Sequence, residues 1–260
     1  MTPQDRIAEA QKQLRMAEKE LVAVLADNKT RARAPVVRML HEVRGMLLPS
    51  RPYASQAGQD QIVDRILGGK RGGTFVDIGA YDGITGSNSL YFEKWRGWSG
   101  VLVEPVPTHR ATAETMREAP CLPFAVAADN GSAPFITVTK GYLQMSGLLD
   151  SYDGSMLQRV RDNPQHAEDT IDVETRTLSD ILTDAGIPHP DFVSLDIEGG
   201  ELSVLKSFPF NQHKVLVWSI ENNSGAPDIP KIMRENGYNL IEFCGPDEVY
   251  AHRSIDSKAS

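Results

Sequence analysis

From Ala54 onward, short apolar runs alternate with helix-prone stretches, and no other feature limits so tightly what this chain can become. The runs are residues 74–78, 100–104, 122–127, 192–196 and 215–220. Each is short and almost uniformly apolar, as a strand covered on both faces must be. Strands that alternate with helices build a layered fold, so the pattern predicts an α/β architecture around a largely parallel sheet with helices on both faces. Residues 135–139 and 171–175 alternate in polarity instead, as half-exposed antiparallel strands do. Between them, residues 140–169 predict a long loop carrying one helix, and length of that kind inside a compact domain marks a lid or a binding loop.

The first 53 residues read differently, and the chain divides into an N-terminal helical arm, 1–53, and a body, 54–260. The arm holds ten Lys and Arg against six Asp and Glu, while the whole chain carries −8. An acidic body argues against nucleic acid as a partner, because neutralising phosphate takes clustered cations. Residues 4–28 contain no Gly or Pro and are rich in Ala, Leu, Glu, Lys, Gln and Arg, which predicts a helix. Its apolar residues Ile7, Ala10, Leu14, Ala17, Leu21 and Val24 form a seam of coiled-coil period. That seam needs a cover: either the following helix, residues 36–48, folded back as a hairpin, or the same helix of a second subunit in a homodimer. Arg31, Arg33, Arg38 and Arg44 read as a solvated face, and Pro49 and Pro52 close the arm. No run approaches the ~18 apolar residues needed to cross a bilayer. Without a secretory signal, and with Cys121 and Cys244 far from each other and from any ligand-spaced His, the reading is a cytoplasmic chain with two buried thiols.

The chemistry starts where the first run ends, at Asp77-Ile78-Gly79-Ala80-Tyr81-Asp82-Gly83. A strand that enters a Gly-rich turn before a helix places a nucleotide-type ligand at the carboxyl edge of the sheet. The G-x-G-x-x-G phosphate loop is absent, and Asp77 and Asp82 would oppose a pyrophosphate. A ligand with an ammonium, a sulfonium and an adenosine but no phosphate suits these acids, and S-adenosylmethionine is one. Glu104, at the end of the second run, is placed to accept both ribose hydroxyls. Residues 68–73 are Gly-rich but precede a strand, which makes them a loop, and Asp129-Asn130-Gly131 is first a hairpin turn. Ser87 and Asn88 open the helix after the loop, where N–H groups can receive a carboxylate. Of the six histidines only His166, in the long loop, is held in reserve as a base.

These segments, taken in order, resemble a known family. Residues 55–60, 76–83, 87–89, 103–105, 125–127 and 194–201 are similar to the successive motifs of the FkbM-type S-adenosylmethionine-dependent methyltransferases, over roughly residues 55–245. The resemblance implies the class I methyltransferase fold, a Rossmann-like seven-stranded, mostly parallel sheet with an antiparallel hairpin at its end, and O-methylation of a sugar or a hydroxylated natural product. It implies that Asp77, Gly79, Ala80, Tyr81, Asp82 and Gly83 cradle the methionine half of the donor. Glu104 would hold the ribose, and Pro105 and Ala127 would flank the adenine.

On the acceptor side, Asp196, Glu198 and Glu201 follow the fourth run, and Glu221 the fifth, so all face the same crevice. Methyl transfer to a hydroxyl needs alignment and removal of the hydroxyl proton. Asp196, then Glu198, is the expected catalytic carboxylate, with Glu201 starting a helix in a structural role. The same acids could hold a divalent cation, so the metal stays uncommitted. The expected activity is methyl transfer to a carbohydrate hydroxyl. The alternatives are a small-molecule or polyketide hydroxyl, an amine, or a non-catalytic binding module that keeps the fold.

Overall fold

The computed structural model describes residues 1–255; the end of the expected body, 256–260, lies outside the described residues. The arm comprises α1 (Pro3–Asp27) and α2 (Ala34–Leu47), joined by a 3₁₀ turn at Arg31–Arg33. Next come α3 (Gln59–Ile66), β1 (Thr74–Ile78), α4 (Leu90–Arg96), β2 (Ser99–Val103), α5 (Pro107–Met116), β3 (Cys121–Leu122), β4 (Ala125–Val126), β5 (Gly131–Lys140), β6 (Gly147–Leu148) and α6 (Gly154–Arg161). The chain continues through β7 (Ala167–Arg176), α7 (Leu178–Asp184), β8 (Phe192–Leu195), α8 (Glu201–Ser207), β9 (Val217–Glu221), α9 (Asp228–Glu235), β10 (Tyr238–Cys244) and β11 (Asp247–His252).

Seven strands form one sheet in the order β10-β11-β9-β8-β1-β2-β3. β3, β2, β1, β8 and β9 run parallel, and β11 and β10 close the edge antiparallel. This is the α/β sheet expected. Alternation along each strand feeds two cores. Val76, Ile78, Leu195, Trp218 and Ile220 pack beneath α7, α8 and α9, whereas Phe75, Leu102, Phe192 and Val217 meet Phe92, Val63 and Trp98 on the opposite face. Full burial of side chains of this size stabilises by about 1.5–3 kcal/mol each.

The run 122–127 is not one strand. Leu122 ends β3 in the main sheet, while Ala125 and Val126 pair with Thr175 and Arg176 in a second, four-stranded sheet ordered β4-β7-β5-β6. The alternating segments are the long antiparallel pair β5 and β7. The expected loop at 140–169 contains β6 and α6; Tyr152, in the turn between them, and Val160 of α6 pack against Ile136 and Val138.

The arm folds back as a hairpin, with Arg44 paired to Glu18 at 2.9 Å. Only part of the predicted seam is used. Leu14, Ala17 and Leu21 are half-buried, but Ile7 is 60% exposed and Val24 51%, and Leu25 takes the core position instead. A straight helix drifts from a 3.5-residue period, which explains the change of face. Besides Arg44, two more of the arginines are partly buried and paired rather than free in solvent. Arg33 donates to Glu242 at 2.7 and 2.6 Å and to the carbonyls of Leu25 and Asn28 at the end of α1; Arg31 reaches Glu248 and the carbonyls of Asn222 and Pro246. Val37 joins the core around Phe75, so arm and body share apolar packing.

Removing one partner of a buried ion pair strands the other charge. Arg33→Ala is expected to lower stability by about 2–4 kcal/mol in urea unfolding. Arg38→Ala, whose pair with Glu42 is exposed, should cost no more than about 0.5 kcal/mol.

Candidate functional site

β1, β2, β8 and β9 all end at one edge of the sheet, and the loops that leave them enclose a cavity of about 630 Å³. That size lies within the range of about 300–1,000 Å³ typical of small-molecule sites. The second sheet supplies another wall through Phe135 and Leu148, the segment 142–146 overhangs it, and Arg38 of the arm and Arg159 of α6 stand in its lining.

The loop after β1 is held from below. Gly79 and Ala80 donate to the carbonyl of Val103 at 3.0 and 3.2 Å, and Asp196 donates to that of Ile78 at 3.2 Å. Gly79 has φ +77°, and a Cβ there would lie 1.8 Å from the Asp196 carbonyl oxygen. Only glycine lets the two loops meet. Among the described residues the non-glycine positions with positive φ are Tyr81 (50°) and Glu198 (60°), and both line this cavity. Such conformations cost energy and concentrate at functional sites.

Glu104 is buried, and its carboxylate accepts from the N–H groups of Tyr81 at 3.0 Å and Val106 at 2.8 Å. His109, which sequence reasoning passed over, lies 3.8 Å from Glu104 and packs edge-on against Tyr81. Asp77 accepts from Ser89 at 2.5 Å and Ser87 at 3.2 Å; burial pushes its carboxyl up, against the pull of Ser89 and the nearby Arg117. Arg117 is a second omission. It donates to the Gly83 carbonyl at 2.7 Å and to Ser89 at 3.0 Å and pairs with Glu93 at 3.1 Å, so it ties the loop to α4. No local motif marks it, because its partners lie far away in sequence.

Of the residues expected on the donor side, Asp77, Gly79, Ala80, Tyr81, Ser87, Asn88, Glu104 and Pro105 line the cavity. Asp82, Gly83 and Ala127 are outside its lining among the described residues. Asp82 closes a turn by accepting from Ile84 and Thr85, Gly83 backs onto Arg117 and Ala113, and Ala127 continues the β4 ladder by donating to Arg176. Phe124, Ala125 and Val126 line the wall near the expected place of Ala127. Helix α4 starts at Leu90, later than expected, and the N–H groups of Ser89 and Leu90 are taken by the Ser87 hydroxyl. The Asn88 side-chain amide N–H is also taken, donating to Ser194 at 3.0 Å, while its Oδ1 is buried without a partner, so the expected reception of a carboxylate at Ser87 and Asn88 has no free donor among these groups. His166 pairs with Glu168 at 2.9 Å beside a separate shallow hollow, and so leaves the reserve list.

On the other side of the cavity, Asp196, Glu198 and Glu221 converge, with one carboxylate oxygen of each within 4.8 Å of the others. Burial, then the neighbouring negative charges, pushes Glu198 and Glu221 well above the ordinary carboxylate range, and Asp196 likewise. Glu201 heads α8 and accepts from Ile197 at 2.9 Å and Gly199 at 3.1 Å, which holds the loop that carries the cluster. Glu221 was visible as a strand-end acid, but its convergence with Asp196 depends on β8 and β9 pairing in register.

The residues fit a phosphate-free adenosyl ligand. Buried acceptors dominate the loop after β1, and Arg117, at the end of α5, is consumed internally by Gly83, Ser89 and Glu93, although Arg38 and Arg159 also stand in the cavity lining. The model of the methyltransferase FkbM domain matches residues 77–240. Among curated proteins none matches. Among solved structures, the FkbM methyltransferase from Methylobacillus flagellatus is 17% identical with a TM-score of 0.42, the match covering 70% of this chain and 44% of that one. This chain thus spans less than half the length of that protein. A precorrin-6y C5,15-methyltransferase from Geobacter metallireducens is 12% identical, with a TM-score of 0.40 and coverage of 75% and 88%. A TehB-like SAM-dependent methyltransferase from Corynebacterium glutamicum is 13% identical, with a TM-score of 0.38 and coverage of 84% and 100%.

The contact between Gly79 and Asp196 is the joint of the site. Gly79→Ala is expected to lose more than about 2 kcal/mol in urea unfolding, from the clash and the left-handed backbone together.

Proposed function

The chain belongs to the FkbM methyltransferase family, and from that premise we propose that it transfers a methyl group from S-adenosylmethionine to a hydroxyl of a sugar or glycan. The observation that carries the reading is a single cavity with Glu104 and Asp77 on one side and the carboxylates Asp196, Glu198 and Glu221 on the other. The donor, when bound, supplies an electrophilic methyl group on a sulfonium.

Glu104 holds the ribose diol, its own orientation fixed by two backbone N–H groups. Pro105 and the Phe124–Val126 wall take the adenine, and Asn88 faces the methionine end. Asp77 orders Ser87 and Ser89 beneath the loop. Opposite them, Asp196 and Glu198 orient the acceptor, and a carboxylate oxygen of Asp196 takes the proton that the hydroxyl must lose. The acceptor is read as polyhydroxylated because Gln56, Gln144 and Asn223 line the same cavity as the carboxylates, and amides and carboxylates together match hydroxyl groups.

Two variants separate the roles. Glu104→Gln keeps an acceptor for one N–H but removes the charge, and should weaken S-adenosylmethionine binding in calorimetry by about 1–3 kcal/mol. An unchanged affinity refutes the donor assignment. Asp196→Asn should lower turnover by about 10²–10⁴-fold while donor affinity barely changes. Turnover is followed with labelled donor against fractionated glycans and, in parallel, small hydroxylated metabolites; labelling confined to the second set overturns the carbohydrate acceptor.

A further inference from the structure

We propose that Asp196, Glu198 and Glu221 form a binding site for one hard divalent cation. The inference deepens the proposed methyl transfer, since it concerns the acceptor side of the same cavity. It rests on that reading only for what the ion would do there.

The first observation is geometric. One oxygen from each of the three side chains lies within 4.8 Å of the other two. Around a hard divalent ion with bonds of about 2.1–2.4 Å, oxygens on opposite sides are about 4.2–4.8 Å apart and adjacent ones closer, so three such oxygens fit one coordination shell. Carboxylate oxygens with no nitrogen or sulfur ligand select Mg²⁺, Mn²⁺ or Ca²⁺ over softer metals.

The second observation is what these carboxylates lack. Glu198 is only 7% exposed and Glu221 6%, yet Oε2 of each has no hydrogen-bond partner. Among the described residues no Lys, Arg or His pairs with any of the three; Asp196 and Glu221 find only each other. The adjoining acids differ. Asp247 accepts from Ser219 at 2.9 Å and Gln59 at 3.2 Å, and Glu201 is held by the N–H groups of Ile197 and Gly199. The fold therefore supplies donors to the neighbours and withholds them from these three. Unpaired buried carboxylates are costly, and a cation that bridges them removes the cost.

Each carboxylate gives one oxygen, so water or an acceptor hydroxyl completes the shell. A hydroxyl bound there becomes more acidic. The second oxygen of Asp196, the one member of the trio that is only half-buried, takes the hydroxyl proton as the oxygen–methyl bond forms and the donor's sulfur–methyl bond breaks, the sulfonium leaving as a neutral thioether.

The test is a titration of the full chain with Mn²⁺, without donor or acceptor, followed by electron paramagnetic resonance and calorimetry. One ion per chain is expected, with affinity at least about tenfold weaker in Glu221→Gln and in Glu198→Gln, and with Mg²⁺ or Ca²⁺ displacing the Mn²⁺. Both variants relieve repulsion, so thermal unfolding without metal should show them at least as stable as the parent. No stoichiometric binding at millimolar Mn²⁺, or binding unchanged in both folded variants, overturns the site. If the donor assignment fails at Glu104→Gln while Mn²⁺ binding holds, the methyl-transfer reading falls and the ion site stands; the converse result separates them the other way.

Discussion

The parallel register of β2, β1, β8 and β9 is the constraint from which the site follows. Parallel strands end together, so four loops that are remote in sequence leave from one edge. Each then carries its acid to the same hollow: Asp77, Glu104, Asp196 and Glu221. Gly79 sets how closely the first and third loops approach, because a side chain there would occupy the space of the Asp196 carbonyl.

The rest of the molecule closes that edge. The second sheet branches off where the chain leaves β3, and its apolar residues Phe135 and Leu148 form a wall that polar loops could not. The arm contributes less obviously. Its ion pairs through Arg31 and Arg33 fasten α2 to β10 and β11, and this brings Arg38 to the cavity. Helix packing, strand pairing and buried charge pairs thus act on the same small volume.

Electrostatically the cavity is divided. On one side the carboxylates are satisfied: Glu104 by backbone N–H groups, Asp77 by hydroxyls and Arg117. On the other, Asp196, Glu198 and Glu221 crowd together, with Oε2 of Glu198 and of Glu221 left without a partner, and Glu198 stands there on a left-handed backbone. A fold selected for stability alone would relieve that crowding. Keeping it costs free energy that an incoming ligand can return.

Much of this was legible before the structure. The strands at 74–78 and 192–195, the α1 helix and the alternating β5 and β7 follow from periodicity, since burial on one or both faces writes itself into neighbouring residues. Asp77 and Glu104 were legible for the same reason, as acids at the ends of apolar runs. What lay beyond reach was non-local. Val24 and Leu25 exchange roles because α1 meets the body at one particular rotation, and residues 122–127 divide because two sheets compete for them. The mixed polarity of β10 and β11 kept their edge pair out of the periodicity, so that the antiparallel hairpin was expected only from the family resemblance, and Arg117 and Glu221 acquired their partners only through chain closure. Local periodicity determined which segments are strands and helices, and which residues stand at their ends. Only tertiary structure decided which of those ends meet, because pairing register and helix rotation are set by contacts between segments that the linear order keeps apart.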